Sequence, residues 1–185
     1  MNTIDIKDKS SLKTASKVLF DGGILIFPTD TVYGIGCLVK KEPILKLYKI
    51  KNRPLNQPTA ILISRKYYPK NIIDDQNIEK EFLGGKVTLL IKKELIDIDC
   101  PDILIKDGKV GVRMPKYPWL EQLIDKAGPI VASSVNKKGE PTPEKFIDID
   151  VRLLEKAELV IKIDKNIGNH PSAVYNIETG EYLRK

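Results

Sequence analysis

Gly22-Gly23-Ile24-Leu25-Ile26-Phe27-Pro28-Thr29-Asp30-Thr31-Val32-Tyr33-Gly34 passes from a double glycine through four apolar residues into hydroxyls packed around one carboxylate. Ile24–Phe27 reads as a buried strand, and Pro28 ends it because proline brings no N–H to a ladder. Upstream, Leu12, Ala15 and Leu19 recur at helical spacing, and Gly22-Gly23 supplies the C-terminal stop. Downstream, Pro43 opens a second helix at a position where its missing N–H is harmless. Ile44, Leu47 and Tyr48 form its buried stripe, and Lys51–Arg53 close it before Pro54. Short apolar runs follow at Ala60–Ile63, Val87–Ile91, Val110–Val112 and Ile130–Ala132. Helical stretches lie near Glu79–Leu83, Trp119–Ala127 and Val151–Lys156. The tail, Ala173–Ile177, Glu178-Thr179-Gly180 and Tyr182–Leu183, reads as a hairpin with a glycine-containing turn. Strands mixed with helices imply an α/β fold layered around a central sheet. No repeat or linker divides the chain, so one domain is expected over residues 1–185.

Composition narrows the function classes. The chain has 185 residues, 42% of them apolar, enough for a core without disulfides or a structural metal. Its longest apolar runs fall far short of the roughly 20 residues that span a bilayer, so no membrane segment is expected. MNTIDIKDKSS at the N-terminus lacks the apolar core of a secretory signal, and two distant cysteines, Cys37 and Cys100, suit a reducing cytosol. A cytoplasmic location follows as an expectation. With His170 the lone histidine, a Cys/His zinc site and a Ser-His-Asp or Cys-His hydrolase are both poorly supplied.

Charge is uneven. The net charge is +6, and the window Lys40–Pro54 holds six basic residues (Lys40, Lys41, Lys46, Lys49, Lys51, Arg53) against Glu42 alone. Such a window is either a solvated lysine-rich helix face or an anion site, since a local positive field concentrates phosphates. Gly85-Lys86-Val87-Thr88 imitates the end of a phosphate loop, but Val87 stands where a hydroxyl should follow the lysine, and Lys80 where the first glycine should be. No G-x-G-x-x-G follows a strand, which excludes a Rossmann dinucleotide site.

Four polar clusters remain, each at the end of an apolar run: Pro28–Gly34, Lys49–Pro54, Ser133–Asn136 and His170–Val174. Each alone reads equally well as a turn. On a continuous helix Lys49 and Arg53, four apart, would share a face and clamp phosphates together.

In order and spacing, these clusters resemble the family of L-threonylcarbamoyladenylate synthases in its short, single-domain YrdC-like form. The signatures are PTDTVYGIG (Pro28–Gly36), the Lys-x-Arg of Lys51 and Arg53, and the Ser-x-Asn of Ser134 and Asn136. GGKVTLL (Gly84–Leu90), VGVRMP (Val110–Pro115), Ser172 and Arg184 support them, and the likeness runs from about residue 12 to the end. No additional C-terminal domain of the kind carried by longer members is expected here.

The resemblance implies a twisted, open mixed sheet with flanking helices and a deep basic cavity. It implies ATP, accompanied by Mg2+, L-threonine and bicarbonate or CO2 as substrates, and threonylcarbamoyl-AMP and pyrophosphate as products. It implies no zinc and no organic cofactor, and hand-over to a transferase complex that modifies adenosine 37 of tRNAs reading ANN codons. Lys49, Lys51, Arg53, Ser133, Ser134, Asn136 and Arg184 would bind ATP. Thr29, Thr31, Tyr33, Arg113, Asn136 and Ser172 would bind threonine. Lys51, Arg53, Ser134 and Asn136 form the implied catalytic set, and no protein side chain is implied as a metal ligand.

The chain departs from the family pattern in three places. A histidine common after the segment equivalent to Gln57–Ile61 is replaced by Leu62. The Trp-Pro-Gly-Pro-Leu-Thr segment reads Leu83-Gly84-Gly85-Lys86-Val87-Thr88, and the usual Thr-Ser-Ala-Asn reads Ser133-Ser134-Val135-Asn136. A non-catalytic module for tRNA or double-stranded RNA is the competing class, since the basic window would attract RNA. Aromatic residues are few, 6%, and form no stacking platform of the usual kind. Weak RNA binding could still accompany catalysis. A carbamoyl-adenylate maker of the hydrogenase-maturation type would need accessory zinc-finger and acylphosphatase segments.

Overall fold

Pro28 does end a strand, but the chain turns straight back into a second one. The computed structural model describes residues 2–68, 72–73, 75–137, 139–167 and 170–184. Strand β1 is Thr3–Asp5, β2 Leu25–Pro28, β3 Tyr33–Leu38, β4 Ile61–Leu62 and β5 Val87–Lys92. Strand β6 is Lys109–Arg113, β7 Ile130–Ser134, β8 Leu159–Lys162, β9 Ala173–Asn176 and β10 Glu181–Arg184. They make one mixed sheet in the order β1-β8-β2-β3-β7-β4-β6-β5-β9-β10. β2, β3 and β7 pair antiparallel in succession, while β4 lies parallel to β6 and β5 parallel to β9.

Helices cover both faces. α1 (Ser11–Phe20) and α4 (Pro118–Ala127) press Ala15, Leu19, Leu120, Leu123 and Ile124 onto Leu25, Phe27, Ile130 and Leu159. On the opposite face α2 (Lys41–Ile50) and α3 (Gln76–Leu83) contribute Ile44, Leu47, Tyr48, Ile78 and Phe82 to a larger core over Ile26, Ile35, Val112 and Val131. A fifth, single-turn helix, α5 (Val151–Leu154), joins this core through Leu153 and Leu154. α2 starts at Lys41, two residues before the proline expected to open it, and Pro43 sits in its first turn, where its missing N–H is still harmless; Pro118 stands at the head of α4. The tail is the expected hairpin, turning at Gly180 with φ +69°.

β1, β3 and β8 lie outside the sequence expectation. β3 reads Tyr-Gly-Ile-Gly-Cys-Leu, and its two glycines hide it from a propensity reading. Those glycines are what the sheet needs. A Cβ on Gly36 would stand 2.5 Å from the Val131 carbonyl, and one on Gly34 would stand 3.1 Å from the Phe27 ring.

Strand periodicity then places the cavity. On the α1/α4 side, β3, β7, β4, β6 and β5 present Gly34, Ala132, Ser134, Leu62, Gly111, Arg113, Thr88 and Leu90. On the other side the same strands present Ile35, Val131, Ile61, Val112 and Leu89, all fully buried. One face is therefore solid core. The other is hollowed wherever its residues are glycine, alanine or serine and the two helices do not reach.

Candidate active site

The cavity has a volume of about 320 Å³, within the range of small-molecule sites. Its first wall is the turn 29–32. The Thr29 hydroxyl accepts from Thr31 N and Val32 N, both at 3.1 Å, and donates to Val32 O at 2.6 Å. Its single proton and both its lone pairs are therefore engaged, and the Thr31 hydroxyl lies 3.2 Å away in a contact that fixes neither oxygen as donor. Thr31 also accepts from Arg113 Nη2 at 3.0 Å. One lone pair of Thr31 Oγ1 remains, and Thr31 lines the cavity able to accept through it.

Arg113 is only 6% exposed and is held on one edge. Nη2 donates to Asp30 Oδ1 at 2.6 Å and to Gly85 O at 3.1 Å, and Nε also donates to Gly85 O at 3.1 Å. Burial pushes the Arg113 pKa down and nearby Arg184 adds to that, while the Asp30 carboxylate opposes both. Nη1 takes no part in these bonds and is the nitrogen left for a ligand. Gly85 makes the arrangement possible. Its φ is +76°, and a Cβ there would lie 2.0 Å from Asp30 Oδ2. Gly85→Ala is accordingly expected to cost about 2 kcal/mol of folding free energy and to displace the carboxylate. Denaturant unfolding checks it, and unchanged stability would contradict this account of the turn.

The opposite wall comes from the end of α2. Lys51 caps that helix and Asn52 turns left-handed with φ +48°, so Arg53 leaves the helical path. Arg53 Nε donates to Gln57 O at 2.7 Å and Nη2 to Pro58 O at 2.8 Å, which fixes its guanidinium at the cavity rim. Lys51 Nζ donates to Ser134 O at 2.7 Å and also to Asn136 O. Burial pushes the Lys51 pKa down to about 8, with Arg53 adding to the fall and Glu140 opposing it. Ser134 Oγ donates to Asn136 Oδ1 at 2.6 Å, and Asn136 Nδ2 donates to Glu140 O at 2.6 Å. At the third side, Thr88 and Ser172 hydroxyls meet at 2.8 Å, and Arg184 Nη2 donates to Ser172 O at 2.7 Å.

The structure brings Thr29, Thr31, Arg113 and Ser172 to the cavity, and with them Arg53, Ser133, Ser134 and Arg184. It leaves four of the expected residues outside the lining. Tyr33 is a correction: strand parity turns it to the α2/α3 face with Ile35, fully buried, where its hydroxyl accepts from Ile163 N at 3.2 Å. Lys49 is exposed on α2 and does not share a helix face with Arg53, because the helix has already ended. Lys51 and Asn136 stand behind the wall and act on it through the Ser134 backbone and hydroxyl. His170 is exposed, outside the lining.

Sequence reading gave no role to Thr59, Thr88 or Gly111, which line the cavity, nor to Asp30 and Gly85, which shape it. Thr59 Oγ1 is buried with no hydrogen-bond partner among the described residues. The segment where the resemblance lacked a histidine therefore contributes a wall of Pro58, Thr59, Ala60 and Leu62.

The family model for the Sua5, YciO and YrdC domain, described as telomere recombination, matches residues 17–185. The chain belongs to this family. A Methanocaldococcus jannaschii relative, provisionally named threonylcarbamoyl-AMP synthase, is 33% identical over 181 residues, covering 95% of this chain and 84% of its own length. The threonylcarbamoyl-AMP synthase of Xanthomonas campestris is 27% identical, covering 94% of this chain and 96% of its own. P. abyssi Sua5, crystallised with L-threonine, shares the fold with a TM-score of 0.76 at 23% identity, over 95% of this chain and 53% of that one. The Sua5/YciO/YrdC fold thus accounts for the sheet and its flanking helices; the chain spans about half the length of Sua5 itself. Among the described residues no helix is long and apolar enough to cross a membrane.

Proposed function

We propose that this chain is a threonylcarbamoyl-AMP synthase and that the 320 Å³ cavity is its active site. The observation that supports this most is the convergence of three arginines, Arg53, Arg113 and Arg184, with the acceptor face of Thr31 in one hollow. ATP, bicarbonate and the threonine carboxylate are all anions, and a site for them must collect negative charge and position it.

The threonine amine adds to CO2 with loss of a proton, or to bicarbonate with loss of water, to give a carbamate. A carbamate oxygen attacks the α-phosphorus of ATP, the bond to the bridging oxygen breaks, and pyrophosphate leaves. This is a nucleotidyl transfer driven by placement and electrostatics, with no covalent enzyme intermediate. Arg113 would receive the threonine carboxylate on Nη1. Thr31 would accept a hydrogen bond from the threonine side-chain hydroxyl, with Thr88 and Ser172 beside it. Arg53 and Arg184 would hold the phosphates, Ser133 and Ser134 the nucleotide, while Lys51 and Asn136 keep the Ser134 segment in place. Magnesium would enter on the triphosphate, since among the described residues no cluster of His, Cys, Asp or Glu is arranged to hold it. The chain would act as a single unit, and its labile product would pass to the transferase that modifies adenosine 37 of tRNA.

Pyrophosphate release from ATP and Mg2+ tests the reading. Release should require both L-threonine and bicarbonate. L-valine should be at least about tenfold poorer, because it leaves the Thr31 lone pair without a donor. Release that ignores the amino acid, or none from folded protein, would overturn it.

A further inference from the structure

Asp30 sits in the middle of the hydroxyl-rich turn, yet neither the chemistry above nor the family signatures gives it a task. It does not line the cavity, and its side chain is 14% exposed. Both carboxylate oxygens are engaged: Oδ1 accepts from Arg113 Nη2 at 2.6 Å, and Oδ2 accepts from Lys116 N at 2.9 Å. A carboxylate so occupied, and turned away from the hollow, is not placed to take a proton from a substrate.

The other groups around the guanidinium explain what it does instead. Gly85 O receives both Nε and Nη2 in a bifurcated contact, and Thr31 Oγ1 receives Nη2 from the cavity side. These acceptors are neutral and would tolerate rotation of the guanidinium. Arg184, near enough to disfavour the Arg113 charge, adds nothing to hold it. Asp30 alone combines a full opposite charge with a backbone anchor, the Lys116 N–H, that fixes the carboxylate itself. A planar fork is useful to a planar ligand only when its plane is set.

We infer that Asp30 is a positioning residue: with Gly85 and Lys116 N it locks the inner edge of the Arg113 guanidinium so that Nη1 is presented to the carboxylate of the amino-acid substrate. The inference rests on the proposed threonine site and deepens it. Gly85 belongs to the device because any side chain there would occupy the place of Oδ2. The division of labour is that Arg113 contacts the substrate and Asp30 never does.

Calorimetric titration of the full chain with L-threonine and with L-threonine amide, which lacks the carboxylate charge, separates positioning from general damage. In Asp30→Asn the dissociation constant for threonine should rise about tenfold or more, while that for the amide moves less than about twofold. The preference for threonine over its amide should therefore collapse. The KM for threonine should rise with it, and kcat at saturating threonine should stay within about threefold, the pattern of lost uniform binding. Asp30→Glu keeps the charge but lengthens the arm past the Lys116 anchor. It supplies a second variant with the same expected loss of preference, so either folded variant decides. Threonine affinity unchanged or tighter would overturn the inference, as would equal weakening of both ligands. Should the unaltered protein bind no threonine, the reading of the site fails, and that failure is visible before any variant is made.

Discussion

Arg113→Met is expected to lower kcat/KM for threonine by about a thousandfold, the sum of roughly two charge-assisted hydrogen bonds lost to the substrate carboxylate. The residue is 6% exposed and its charge is matched by Asp30 at 2.6 Å. Methionine fills much of the volume but leaves that carboxylate buried without its partner, at a cost of about 3–5 kcal/mol in stability. The two effects can be told apart. Adding Asp30→Asn to Arg113→Met should restore part of the stability, because the orphaned charge is gone, but none of the threonine binding. Arg113→Lys should fall between, since lysine restores charge but offers Gly85 O, Thr31 and Asp30 no fixed plane. Steady-state kinetics with threonine varied, alongside denaturant unfolding, checks all three. A loss below tenfold in Arg113→Met would remove Arg113 from the substrate carboxylate.

Lys51→Met is expected to reduce turnover by about 10- to 100-fold through a different route. Lys51 Nζ ties the carbonyls of Ser134 and Asn136, and so fixes the segment from which Ser134 faces the cavity. Without it both carbonyls lose the ammonium donor that ties them together, and the Ser134 hydroxyl, itself bonded to Asn136, moves with them. The same lysine leaves a signature in stability. Its pKa is about 8 in the folded chain against an ordinary 10.5, so the unfolded chain binds more protons between those values. Stability from this group is present above 10.5 and is lost as pH falls through about 8. The wild-type protein should therefore gain on Lys51→Met as pH rises from 8 towards 10.5. Parallel stability curves would show that Lys51 is not buried in this way.

Much of the architecture was legible because the apolar runs and stop signals agree locally. Pro28 and the Gly180 turn mark boundaries that the chain respects, and Pro43 misses the start of α2 by two residues. The reading failed where a strand carries glycine for a reason outside itself. β3 has Gly34 and Gly36 because Phe27 and the Val131 carbonyl stand against it, a fact no local propensity contains. That omission carried Tyr33 to the wrong side: once Tyr33–Leu38 is a strand, parity alone separates Tyr33 from Gly34. Arg53 lost its helical partnership with Lys49 for a similar reason, since Asn52 breaks the helix between them. In sequence Gly85 belongs to a failed phosphate loop; its role in the fold, space for Asp30 Oδ2, depends on residues 55 positions apart meeting in space. The three arginines were legible through the resemblance, Arg53 in its Lys-x-Arg, Arg113 in VGVRMP and Arg184 near the end of the chain, and the fold brings them to one cavity. Their anchors, Gln57 O, Pro58 O, Gly85 O and Ser172 O, are backbone atoms, which no side-chain motif records.

The most direct measurement is the mass of the nucleotide product. The chain would be incubated with ATP, Mg2+, L-threonine and carbon-13-labelled bicarbonate, and the nucleotides separated at once. The account predicts an adenylate carrying both threonine and one labelled carbon, formed with pyrophosphate and absent when threonine is omitted. An unlabelled threonyl adenylate, or ATP left unchanged by folded protein, would contradict it.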